Sequence, residues 1–181
     1  MLIIAVPISP EGWDESKQEF VEPETKVLEL EHSLASLSKW ESKWRKAFLT
    51  KKEKTSEEVL DYVKCMTLTP NVDPELYNHL TSENFQKIRE YIEDPMTATY
   101  FPEDKNGKKS NEVATAELIR YWMISLNIPL ECENWHLNRL IAQVRVCNMK
   151  NQPPKKTNKR DIMSRNAAIN AARRKELNSR G

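Results

Sequence analysis

A chain of 181 residues bounds the answer to one domain with an appendage, or two small domains. Hydrophobic content is 39% and charged content 30%, against roughly 45–50% and 25% in average globular chains, so much of the core must lie on amphipathic helices. Only three glycines occur, which argues against sandwiches and barrels, whose tight turns need residues with positive φ. The net charge of +1 conceals a division. From Lys150 to Gly181 ten basic residues face two acidic ones, Asp161 and Glu176, a net of +8. The rest of the chain holds 18 basic and 25 acidic groups, a net of −7. An acidic body with a basic appendage is suited to contact another copy, a protein partner or a polyanion.

Leu2–Ile8 is rich in β-branched residues and predicts a strand. This run is too short to span a bilayer and lacks the basic leader of an export signal, and no other segment approaches the ~18 apolar residues of a membrane span. Lys26–Glu31 alternates, with Leu28 and Leu30 on one face and Glu29 and Glu31 on the other, and predicts a half-exposed strand. The two strands are expected to pair as an antiparallel ribbon, with Gly12 near the bend and Phe20 and Val21 extending it. A lone ribbon is marginal in water, so it must pack on a helix or be extended by a partner's strand.

Helical patterns follow. Ser33 can cap a helix to about Leu49, with Leu34, Leu37, Trp44 and Phe48 on one face and Trp40 and Glu41 near its edge. Thr55 with Glu58 has capping-box spacing before Val59, Leu60, Val63 and Met66. Asp73-Pro74 places a cap before a proline at the first helical position, for a short helix to Leu80. Thr81 or Ser82 starts the next, with Phe85, Ile88, Tyr91 and Ile92 on one stripe, and Asp94-Pro95 ends it. Met96–Asn111 reads as a loop containing Pro102, Asn106-Gly107 and Lys108-Lys109. Asn111 is the expected cap of a helix holding Leu118, Ile119, Tyr121, Trp122 and Leu126, broken by Pro129. A last body helix is expected from about Glu131 to Asn148.

Gln152-Pro153-Pro154 marks a linker. Asn158–Asn178 beyond it predicts a helix rich in alanine and arginine with a thin apolar seam, mobile alone and ordered on binding. The domains are therefore expected as an α-rich body with its β-ribbon over 1–150, and a basic linker and separable helix over 151–181. The fold class is α+β, mostly α, with a compact helical bundle after the ribbon.

Catalytic motifs are missing from the sequence. There is no glycine-rich phosphate loop, no nucleophile elbow and no His-Glu-x-x-His. The expectation is a non-enzyme with no catalytic residues, no cofactor and no metal. Cys132 and His136, four apart in the expected helix, offer two ligands in register where zinc takes three or four. Further ligands would have to come from Cys147, His79 or His32. Three cysteines without framework spacing read as reduced thiols. Trp40 and Trp44 with Lys39, Lys43, Arg45 and Lys46 interleave aromatics and cations, a pattern that stacks on single-stranded nucleic acid. Core packing with lysine stems over the indoles explains them better, since Leu34, Leu37 and Phe48 continue the stripe.

The partner-binding residues expected from the tail are Lys159, Arg160, Arg165, Arg173, Arg174 and Lys175 as electrostatic contacts, and Ile162, Ile169 and Leu177 as apolar anchors. Ala167-Ala168-Ile169-Asn170-Ala171-Ala172-Arg173-Arg174 carries a seam that suits a protein groove. The same cations, with Lys108 and Lys109, support the rival reading of a nucleic-acid-binding regulator.

Three stretches carry a family resemblance: LELEHSLASLSKWESKWRKAFL over Leu28–Leu49, MTATYF over Met96–Phe101, and WHLNRLIAQVRVCNMKNQPPKK from Trp135, followed by MSRNAAINAARRKELN. Together they resemble tail assembly chaperones of long-tailed bacteriophages, particularly those of Gram-positive hosts. The resemblance implies a non-enzymatic, mostly helical viral protein of the bacterial host cytoplasm. It implies binding to the tape measure protein and help in polymerising the tail tube protein; self-association is expected from the ribbon, which can add to a neighbour's sheet edge. A structural tail or connector component of the virion is a further alternative.

Overall fold

A computed structural model describes residues 1–9, 12–14, 19–21, 23–101, 113–151 and 159–177. The fold is α+β and mostly helical, with the antiparallel ribbon at the N-terminus. Two compact units divide the chain, Met1–Asn148 and Met149–Gly181.

Strands β1 (Leu2–Pro7) and β4 (Thr25–Leu30) pair antiparallel, from Leu2 opposite Leu30 to Pro7 opposite Thr25. The two-residue period sends Ile4, Val6, Leu28 and Leu30 into the core and leaves Ile3, Val27 and Glu29 outside. Short strands β2 (Gly12–Asp14) and β3 (Glu19–Val21) form a second antiparallel ladder. The ribbon meets its need for cover within its own chain. Residues 66–69 line the outer edge of β4: the Glu31 amide donates to the Met66 carbonyl at 2.9 Å, and the Leu68 amide to the Glu29 carbonyl at 2.8 Å. On the other side the Asn84 side chain donates to the Ala5 carbonyl at 3.0 Å. No added strand is required at the β4 edge.

The helices start where short-range chemistry directs. Helix α1 (Leu34–Trp44) is capped by Ser33, α2 (Ser56–Met66) by Thr55 and α3 (Ser82–Glu93) by Thr81, each in a reciprocal capping box. Asp73 caps a 3-10 turn over Pro74–His79. Helix α4 (Ala116–Ser125), α5 (Leu137–Asn151) and α6 (Lys159–Glu176) complete the order. The core is one cluster built from the inner ribbon face, α1, α2, α4 and α5, with Trp40, Leu37, Met66, Ile119, Met123 and Leu140 fully buried.

Three boundaries differ from expectation. Helix α1 stops at Trp44 rather than near Leu49. Arg45 takes the left-handed conformation (φ 54°, ψ 34°) and its amide closes on the Glu41 carbonyl. The Glu41 side chain then accepts the Phe48 amide at 2.8 Å and turns the chain back. Helix α4 begins after Thr115, whose hydroxyl accepts from the Leu118 amide; the expected cap Asn111 lies outside the described residues. The helix expected from Glu131 is interrupted. Leu130–Asn134 is a 3-10 turn, His136 bridges to Ser33, and the Leu137 amide donates to the His32 carbonyl at 2.7 Å before α5 starts. That tertiary pairing draws residues 135–136 out of helical geometry, so Cys132 and His136 do not share a helical face.

Met96–Phe101 carries no helix or strand. The expected loop features Pro102, Asn106-Gly107 and Lys108-Lys109, and the linker Gln152-Pro153-Pro154, lie outside the described residues. All three cysteines are free thiols, with Cys132 buried and Cys65 and Cys147 half-buried. Among the described residues no helix is long and apolar enough to cross a membrane.

Candidate functional site

The expected partner-binding residues sit on α6, eighteen residues long. Alanine, arginine and lysine favour the helical backbone. Arg173, Arg174 and Lys175 occupy its last turn, where cations oppose the negative end of the macrodipole. Arg160, Arg165, Arg173, Arg174 and Lys175 are exposed, as are Met163, Ile169 and Leu177. Lys159 and Ile162 belong to the helix, and their side chains lie outside the description.

Helical geometry sorts these positions. At about 100° per residue, positions 162 and 169 fall within roughly 20° of each other, flanked by 165 and 173. Position 177 lies roughly 80° away from 169. The six cationic positions are spread around the axis rather than gathered in one stripe. The helix therefore brings together a short seam with a cation on either side, and leaves Leu177 apart from it. A polar surface on all sides needs a partner or solvent around it rather than a core.

Trp40 and Trp44 pack as core elements. Trp40 is 1% exposed, and its indole donates to the Glu58 carbonyl at 2.9 Å. Trp44 stacks beside it and donates to Asp61 at 2.9 Å. Lys43 and Lys46 lie near the Trp44 ring and are held by the carboxylates of Asp61 and Glu58. Burial alone would raise the Asp61 pKa, but hydrogen bonds from Lys43 and Trp44 hold it below the usual carboxylate range. For Glu58 the Lys46 ammonium, then the Thr55 amide, lower it in the same direction. These cations are thus committed within the chain.

Two polar constellations escaped the sequence reading. Glu41, 8% exposed, accepts the Phe48 amide with one oxygen and the Ala116 amide with the other, both at 2.8 Å. One carboxylate thereby fixes the turn after α1 and the start of α4. The second is a buried histidine pair. His32 Nδ1 is hydrogen-bonded to the Tyr62 hydroxyl at 2.6 Å, and its ring meets that of His136 edge-on at 5.2 Å. His136 Nε2 donates to the Tyr91 carbonyl at 2.9 Å, and its Nδ1 accepts from the Asn138 amide at 3.3 Å. Burial, then the neighbouring His136, push the His32 pKa down to about 3. Burial raises the Tyr62 hydroxyl. The Tyr91 hydroxyl, raised by burial and by Glu31, donates to the Glu31 carboxylate at 2.8 Å, which also binds the N-terminal ammonium.

These groups tie the residues beside the ribbon to α2, α3 and the start of α5. Among the described residues no group of three or more His, Cys, Asp or Glu is placed to hold a metal ion. The signal that could have located the pair was His32 beside the buried strand residue Leu30 and the Ser33 cap. Comparison with known proteins returns no match: no family model, curated protein or solved structure is similar to this chain.

Proposed function

We propose that this chain is a non-enzymatic tail assembly chaperone of a long-tailed bacteriophage. It works in the host cytoplasm, binds the tape measure protein and assists polymerisation of the tail tube around it. The observation that carries the reading is α6, a basic helix whose described side chains are exposed along its length, in a chain whose remainder is acidic. The three resembling stretches fall on both units, and so support one reading for the whole chain. A helix with cations around its circumference and a short seam at positions 162 and 169 can contact another helix through that seam and steer it electrostatically.

The same cations favour a second reading, a nucleic-acid-binding regulator. The two separate on one measurement. Purified full-length chain is titrated with duplex DNA of unrelated sequence, and with tape measure protein, across a salt series. The chaperone reading expects tape measure binding that weakens when Ile169 is changed to Asp. DNA binding with a steep salt slope, indifferent to Ile169→Asp and without tape measure binding, supports the regulator instead.

A further inference from the structure

Helices α2 and α3 lie on different supports, α2 on α1 and α3 on β1. Between them is a cleft of 190 Å³ lined by Phe48, Val59, Tyr62, Phe85 and Ile92 among others. Its floor is buried, with Tyr62, Val63 and Ile88 nearly inaccessible, and Val59 on its rim is 39% exposed. Tyr62 is held by the Phe48 ring stacked on it at 3.9 Å, so the floor is preformed. The charged residues lining it are both cations, Lys54 and Arg89. Neither forms a salt bridge among the described residues. Lys54 lies 4.3 Å over the Phe48 ring.

We propose that this cleft is a docking groove for one amphipathic helix of a partner protein, whose apolar face is flanked by carboxylates. Three properties select that occupant. The volume is below the roughly 300 Å³ at which small-molecule pockets begin, and suits a few side chains presented at helical spacing. Seven of the nine lining residues lie on α2 and α3, whose backbone groups are already paired, and Phe48 and Lys54 come from the segment before α2. An extended peptide would find no ladder partners there, whereas a helix brings its own hydrogen bonds satisfied. The two cations at an apolar cleft select carboxylates and reject a basic helix such as α6. Partial burial lowers the Lys54 pKa even with the Glu58 carboxylate pulling it the other way, so its charge gains from a further carboxylate brought beside it.

The groove belongs to the body and is independent of the phage assignment. Its test uses the full-length chain and two fluorescent synthetic helical peptides. Both carry leucines at i, i+3, i+7 and i+10; one is flanked by glutamates and the other by lysines. The glutamate peptide is expected to bind about tenfold more tightly, as two partly desolvated ion pairs allow. Val59→Asp, at the rim where folding is spared, is expected to abolish binding with an unchanged circular dichroism spectrum. Lys54→Glu with Arg89→Glu is expected to reverse the preference. Equal binding of both peptides, failure of both to bind, or binding that survives Val59→Asp would overturn the proposal. A dimer of the chain that Val59→Asp dissociates would also overturn it, by identifying the occupant as a second copy.

Discussion

Glu41 and His32 show what single residues contribute here. The Glu41 carboxylate satisfies two amides that are distant in sequence. In Glu41→Gln one of those amides must face an NH2 group instead of an oxygen. A buried unsatisfied donor costs about 1–3 kcal/mol, so urea denaturation should show a loss of that size. A change below about 0.5 kcal/mol, the range of neutral surface substitutions, would mean that the carboxylate is dispensable. His32 makes stability depend on pH. Its native pKa of about 3 lies below the ordinary 6.5, so between these values the unfolded chain binds a proton that the native state refuses. The contribution is present above pH 6.5 and is lost as pH falls, at up to about 1.4 kcal/mol per unit. Thermal melts from pH 7 to 5 should slope downward, and His32→Asn should flatten the slope relative to its own stability at pH 7. Parallel slopes in the two proteins would remove His32 as the cause.

At the scale of elements, the starts of α1, α2 and α3 were legible, whereas the end of α1 and the starts of α4 and α5 were not. Ser33, Thr55, Asp73 and Thr81 act on amides two or three residues away, and such chemistry is written in adjacent letters. The end of α1 depends on Glu41 reaching Phe48 and Ala116, and the late start of α5 on His32 and Ser33 pairing with residues 136–137. Those partners are far apart in the chain, so periodicity extended both helices too far. The alternation of β4 was readable because burial of Leu28 and Leu30 follows the two-residue period directly. Helix α6 was readable from composition, and its physics carries a prediction. Its described side chains are exposed, and isolated helices of this length are marginal in water. Amide exchange should be fastest in α6 and slow in α1 and α5. Protection of α6 equal to that of α1 would mean that the helix is held by contacts of its own.

For the whole molecule the charge division is the organising fact, and composition alone displays it: −7 before Lys150 and +8 from there on. What composition could not display is that the cations of the body are partly spent internally, with Lys43 and Lys46 bound to Asp61 and Glu58. The cleft between α2 and α3 was likewise hidden, since it depends on two helices resting on different supports. Under the proposed function the acidic body and the basic helix are parts of one assembly protein. Co-expression with the phage tape measure protein tests this most directly, comparing the full chain with one truncated after Gln152. The full chain is expected to keep the tape measure soluble and to co-purify with it, and truncation to lower the yield of the complex. A tape measure that stays insoluble and unbound with the full chain would contradict it.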